Sequence, residues 1–207
     1  MIKIYDKLAS VESVSVLEKA LTANGFLPET VATGADALTR IKELIPKGAS
    51  VMNGSSRTLE EIGFIEYLKG GKHSWNNLHD GILSEKDPAK QAELRKYSVV
   101  SDFYVGSVHA ISETGELVIA SASGSQMPHL AFTSPNLILV VSTQKIVPTL
   151  ADARERIAKY VFSLEDERMK SVGYPGSLLG KELILHKEHP MMGRKVHVIL
   201  VNQKLGF

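Results

Sequence analysis

Residues 26–64 read FLPETVATGADALTRIKELIPKGASVMNGSSRTLEEIGF. Phe26 to Thr33 suits a short strand, with Pro28 arguing for a sheet edge or an irregular start. Thr33-Gly34-Ala35-Asp36 then leads into a helix with Ala37, Leu38, Ile41, Leu44 and Ile45 on one face. Pro46-Lys47-Gly48 stops it. Ala49 to Met52 is a short apolar run that suits a buried strand, and Thr58 to Phe64 supplies the first turns of another helix. Strand, helix, strand, helix in this rhythm predicts a parallel sheet covered by helices.

Outside this stretch the chain continues in the same idiom. Residues 6–24 carry Leu8, Val11, Val14, Leu17, Ala20 and Leu21 mostly at spacings of three and four, and stop at Asn24-Gly25. This divides the chain into an N-terminal helical segment, 1–25, packed on an α/β domain over 26–207. Tyr67 to Lys86, with Gly70-Gly71, Trp75 and Asn76-Asn77, reads as a surface excursion. Asp87-Pro88 opens a helix running to about Val99. Val105 to Ile111 and Leu117 to Ala120 are apolar runs around a Ser112-Glu113-Thr114-Gly115-Glu116 turn. Leu137 to Val141 (LILVV) suits a central strand buried on both faces. Pro148 precedes an amphipathic helix, and Val196 to Val201 forms the last strand. The expected fold class is three-layer α/β, a mainly parallel sheet with helices on both faces.

Composition narrows the function classes. The 207 residues include no cysteine, so the chain offers no disulfide, no thiolate nucleophile and no thiolate ligand for zinc or an iron–sulfur cluster. The formal net charge of +1 gives no bulk attraction to nucleic acid or to an anionic membrane. No apolar run approaches the roughly 18 residues that span a bilayer. A cytoplasmic protein is expected. Among the seven histidines there is no HExxH pattern, and His186 and His189 lack an evident third ligand, so no metal site is predicted. A serine-hydrolase elbow of the Gly-x-Ser-x-Gly type is also missing.

Four polar constellations can carry chemistry. Asn53, Gly54, Ser55, Ser56, Thr58 and Glu61 lie between a strand and a helix, where amides and hydroxyls can hold a phosphate or carboxylate. The same residues can simply cap the helix, with Thr58 and Glu61 as a capping box. Glu113, followed by Thr114 and Gly115, can act as nucleophile or general base, or can be a solvated hairpin residue. Gly124, Ser125, Gln126 and His129 can bind a ligand through a flexible loop and an imidazole, or can start a helix. Gly176 and Ser177, with Arg194 further on, offer a loop and an anion clamp, or an exposed arginine before the last strand.

Several of these segments together resemble the LUD domain family, the lactate utilisation protein C-like proteins, from roughly Ala32 to the C-terminus. The resemblance rests on NGSSRTLEEIGF at 53–64, AISETGELVIAS at 110–121, KIVPTLADA at 145–153, PGS at 175–177 and HPMMGRKVHVILVN at 189–202. The chain departs from the family's usual pattern at Ser177-Leu178-Leu179-Gly180-Lys181-Glu182 and at His189–Arg194. The resemblance implies a fold similar to that of ribose-5-phosphate isomerase, glucosamine-6-phosphate deaminase and the coenzyme A transferases. It also implies a part in oxidising L-lactate to pyruvate alongside iron–sulfur partner subunits. Lacking cysteine, this chain would ligate no cluster through thiolates and would leave the clusters to those partners; no cofactor of its own is predicted, and a small carboxylate or phosphate is expected in a cleft. An oligomer is allowed. Ser112-Glu113-Thr114-Gly115 is similar to the motif that carries the nucleophilic glutamate of coenzyme A transferases. Two other functions therefore stay open: a transferase or sugar-phosphate isomerase acting through Glu113, and a metabolite-sensing module without turnover.

Overall fold

The computed structural model describes residues 5–207, apart from the side chain of Pro190. The first four residues of the expected N-terminal segment lie outside the described residues. Helix α1 (Val11–Ala23) starts where the Ser10 hydroxyl accepts the Ser13 amide, and it buries Leu17 and Leu21. Strand β1 (Leu27–Val31) follows and lies at the sheet edge, where Pro28 can be tolerated. Helix α2 (Gly34–Leu44) opens with a reciprocal Thr33–Asp36 capping box. Next come β2 (Ser50–Asn53), α3 (Arg57–Glu61), α4 (Phe64–Lys69), β3 (Asn76–Asn77), α5 (Leu78–Ser84) and α6 (Pro88–Tyr97). Strands β4 (Phe103–Gly106), β5 (Ala110–Ser112) and β6 (Leu117–Ser121) precede a π-helical turn at His129–Thr133. The chain closes with β7 (Asn136–Ser142), β8 (Ile146–Val147), α7 (Leu150–Arg156), α8 (Phe162–Ser171), β9 (Lys181–Leu185) and β10 (Lys195–Val201).

Six strands form one sheet in the order β1-β10-β7-β4-β2-β3, with every pairing parallel. The alternation of a strand splits its residues between two cores. Ile138 and Val140 of β7 face α2, α3 and α4 through Ile41, Leu59 and Phe64. Leu137, Leu139 and Val141 face the other way, against α1 and a second sheet. That second sheet, ordered β8-β5-β6-β9, presents Ile111, Leu117 and Ile119 to the main sheet. Its opposite face, with Ala110, Val118 and Val147, rests on Ala153 of α7 and on Ile157 of the π-helical segment Ile157–Val161, which joins α7 and α8 into one continuous helical stretch. The α/β class with a mainly parallel sheet holds, and the small sheet is an addition to it.

Two local readings change. The run Val105–Ile111 is not one strand but parts of two. At Gly106 an added Cβ would sit 2.8 Å from the Tyr104 ring, and the Ser107 hydroxyl donates to the Val140 carbonyl at 2.6 Å, so the chain turns out of the main sheet. The segment 67–86 is not a plain excursion. Trp75 donates its indole N–H to the Ile45 carbonyl (3.2 Å) and packs against Phe64 and Tyr67, while Leu78–Ser84 is helical and buries Ile82. Its signals were masked by the glycines and amides around them.

Candidate functional site

Parallel strands all deliver their carboxyl ends to one rim of the sheet, which is where α/β folds bind ligands. Here β2 ends into Gly54–Thr58, β4 into Ser107–His109 and β7 into Thr143–Lys145; Gly206 arrives after β10. These four segments meet along one open cleft of about 830 Å³. The Gly54 backbone passes so close to Tyr104 that a Cβ there would lie 2.6 Å from the tyrosine hydroxyl. That hydroxyl donates to Gln126 Oε1 at 3.3 Å, joining the loop after β6 to the same wall.

Lys145 lies at the base. It is 3% exposed, and its Nζ donates to Thr58 Oγ1 (2.9 Å), Val108 O (3.1 Å) and Ser107 Oγ (3.2 Å). All three acceptors are neutral. Burial, followed by repulsion from Arg156, lowers the ammonium pKa to about 7, with Glu61 opposing. Arg156 is fully buried and donates to the His109 and Tyr5 carbonyls; burial lowers its pKa to about 10. His109 lines the cleft, and burial, then Lys145 and Arg156, push its pKa down to about 3. Its Nδ1 accepts the Ala120 amide at 3.1 Å, which assigns the proton of the neutral ring to Nε2. The cleft thus combines a buried cation, a neutral imidazole N–H and several hydroxyls. The other cations on its walls are neutralised locally: Arg57 by Glu60, Arg168 by Glu165, and Lys170 by Asp166.

The cleft gathers many of the residues singled out from the sequence. Gly54, Ser55, Ser56 and Thr58 line it, as do Ser125 and Gln126 on one wall and Gly176 and Ser177 on another. Gly124 sets up that wall, with φ +82° and its N–H donated to Ser121 Oγ at 2.9 Å. Glu61 sits behind, accepting the Gly206 amide at 2.7 Å. Asn53 is buried at the end of β2, and its Oδ1 has no hydrogen-bond partner. The capping reading needs correction. Ser56 caps α3 by accepting the Leu59 amide (3.4 Å), whereas Thr58 is already helical and serves Lys145. At five residues, α3 is too short to lend a strong dipole, so the attraction for an anion rests on Lys145 instead.

Three other groups sit elsewhere. Glu113, Thr114 and Gly115 form the hairpin turn at the far end of β5 and β6, packed on α1. Glu113 accepts the Ser13 hydroxyl at 2.5 Å, and Asn24 donates to the Thr114 carbonyl at 3.1 Å. A Cβ at Gly115 (φ +93°) would lie 2.6 Å from Asn24 Nδ2. Neither these residues nor His129 nor Arg194 line the cleft. His129 is buried, stacks on Tyr104 with ring centroids 4.6 Å apart, and meets Ser134 Oγ at 2.9 Å through Nδ1. Desolvation lowers its pKa to about 4. Arg194 is not an anion clamp. It donates to the carbonyls of His129, Leu130, Ala131 and Ser134 and pairs with Glu188 at 3.0 Å, which closes the carbonyl end of the π-helical turn.

Sequence reasoning passed over Lys145, His109, Ser107 and Tyr104. A signal was present for two of them: Lys145 directly follows the longest buried strand and its short polar turn, and His109 is a lone ionisable residue inside VGSVHAI.

Comparison with curated proteins finds no match. Among solved structures, the chain is similar to a DUF162 family protein from Deinococcus radiodurans, with 14% identity and a TM-score of 0.57. That alignment covers 95% of this chain and 100% of the other. It is also similar to ribose 5 phosphate isomerase A from Neisseria gonorrhoeae, at 14% identity over 75% of this chain and 76% of that one, with a TM-score of 0.36. At such identities the first likeness speaks for the fold alone. A family model described as the LUD domain matches residues 14–201, from within α1 to the last residue of β10, and the chain therefore belongs to the LUD domain family.

Proposed function

We propose that this chain binds a small anionic metabolite in the cleft above Lys145, as a cysteine-free subunit or accessory factor of an L-lactate oxidation system. Family membership points to lactate utilisation. The observation that carries the binding reading is Lys145, a buried cation that lines the cleft and whose hydrogen-bond acceptors are all neutral oxygens. Buried charge without a counter-charge is costly, and an anion in the cleft supplies it. With no thiolate to ligate a cluster, electron transfer falls to iron–sulfur partner subunits. Deleting the gene should abolish growth on L-lactate. The wild-type gene should restore it, and a Lys145→Met copy should not. Normal growth of the deletion strain on L-lactate would remove the pathway assignment.

One observation favours a second reading, an isomerase-type proton transfer. An amine with a pKa near 7 beside a fixed imidazole N–H can move a proton at neutral pH. Deuterium from heavy water should then enter a sugar phosphate at the carbon next to its carbonyl. A panel of sugar phosphates without exchange would dismiss it.

A further inference from the structure

The cleft has two ends of different chemistry. Beyond the polar base, the wall formed by the 150–171 helical stretch and the loop after it carries the apolar Ile157, Phe162, Met169, Val172, Leu178 and Leu179, interspersed with the internally paired Arg168–Glu165 and Lys170–Asp166. Val172 is 57% exposed, Leu178 65% and Leu179 47%, so three large aliphatic side chains stand in water around an opening whose base is charged. Water-exposed apolar groups clustered at one site mark a surface that is covered in use.

This lip is held in position. Gly173 and Gly176 turn the backbone at φ +90° and +138°, conformations that other residues rarely adopt. The Ser177 amide donates to Asp166 Oδ1 at 2.7 Å, and Asp166 in turn pairs with Lys170 at 2.6 Å. At Gly180 the chain passes so close to the Ala122 carbonyl that a Cβ would lie 2.6 Å from its oxygen, tying the lip to the wall that carries Ser125 and Gln126. The volume of about 830 Å³ is that of sites which enclose ligands of drug size, and a three-carbon acid would leave most of it as water.

Resting on the anion-binding reading, we infer that the ligand of this cleft is an amphipathic anion. Its carboxylate or phosphate head sits at Lys145 and His109, and an apolar body of several carbons lies along Met169, Val172, Leu178 and Leu179. One cavity joins the charged base to the apolar lip, so a single molecule with both characters satisfies both ends. A ligand of this class uses the buried cation for orientation and the lip for affinity.

The test is calorimetric titration of the full chain with straight-chain carboxylates from acetate to decanoate, and separately with the matching alkyl phosphates. Affinity should climb roughly fourfold per added methylene over several carbons. The series that binds more tightly identifies the head group. In a Leu178→Ser, Leu179→Ser double variant, whose changes are at exposed positions, the dependence on chain length should fall by half or more while acetate or methyl phosphate binds as before. Short anions that bind with no dependence on chain length would overturn the inference and leave the anion site standing; the lip would then be a protein-covered surface. A chain-length dependence untouched by the double variant would overturn it as nonspecific partitioning. Failure of every anion in both series to bind would overturn the inference together with the reading beneath it.

Discussion

Lys145 shows what burial does to one charge. Its ammonium is surrounded by the Thr58 and Ser107 hydroxyls and the Val108 carbonyl, which satisfy its hydrogens but not its charge. Its pKa is lowered from 10.5 to about 7 in the folded chain, so between those values the unfolded chain holds a proton that the folded chain has released. Stability should therefore rise as pH increases from about 7 toward 10.5, and the full penalty should be present below 7. Lys145→Met should flatten that rise in urea titrations at stepped pH; an unchanged slope would mean that the lysine is not strained by burial. Burial lowers the Arg194 pKa as well, but here Glu188 opposes the shift from direct contact and four carbonyls fix the guanidinium. Arg194→Ala should cost about 3 kcal/mol of stability by urea unfolding. It should leave anion binding unaltered, since Arg194 does not line the cleft.

At the scale of elements, the loop after β2 and the hairpin of β5 and β6 explain what could and could not be read from the chain. The β-α-β-α rhythm of 26–64 and the LILVV run were legible because strands and helices impose periods of two and 3.6 on burial. The 53–58 loop was legible as a candidate for binding, beside plain helix capping, because polar residues at a strand's carboxyl end have few structural duties. Glu113 was equally visible, but its location depends on the direction in which β5 leaves the main sheet, and that is decided by Gly106, Ser107 and the Val140 carbonyl. Lys145 and His109 were passed over because a buried titratable residue is indistinguishable in sequence from an exposed one. Two substitutions separate the elements. Gly54→Ala forces a methyl against the Tyr104 hydroxyl and should weaken ligand binding with a stability loss of about 1–3 kcal/mol. Glu113→Gln should leave binding intact and cost about 1 kcal/mol through the weakened Ser13 bond. Loss of binding in the glutamine variant, measured by calorimetry, would return the hairpin to the site.

For the whole molecule, the sheet is a platform between two cores, and at its carboxyl rim Lys145 is buried with no carboxylate among its hydrogen-bond partners. Acid should loosen this arrangement. His109 and His129 carry pKa values lowered from 6.5 to about 3 and about 4, mainly by desolvation. The unfolded chain takes up those protons first, so stability should fall as pH drops from about 6.5 toward 4. His129→Phe should shallow that decline, as followed by thermal unfolding. The central claim, that the base of the cleft is an anion site built on Lys145, is tested most directly by titrating phosphate, L-lactate and longer carboxylates into the wild-type chain and Lys145→Met. The titrations should be run at pH 7.5 in two buffers of different ionisation enthalpy. At least one anion should bind the wild type with net proton uptake, because its charge raises the lysine pKa, and the variant should lose roughly thirtyfold or more in affinity. Equal affinity in the two proteins, or binding without proton uptake, would contradict the account.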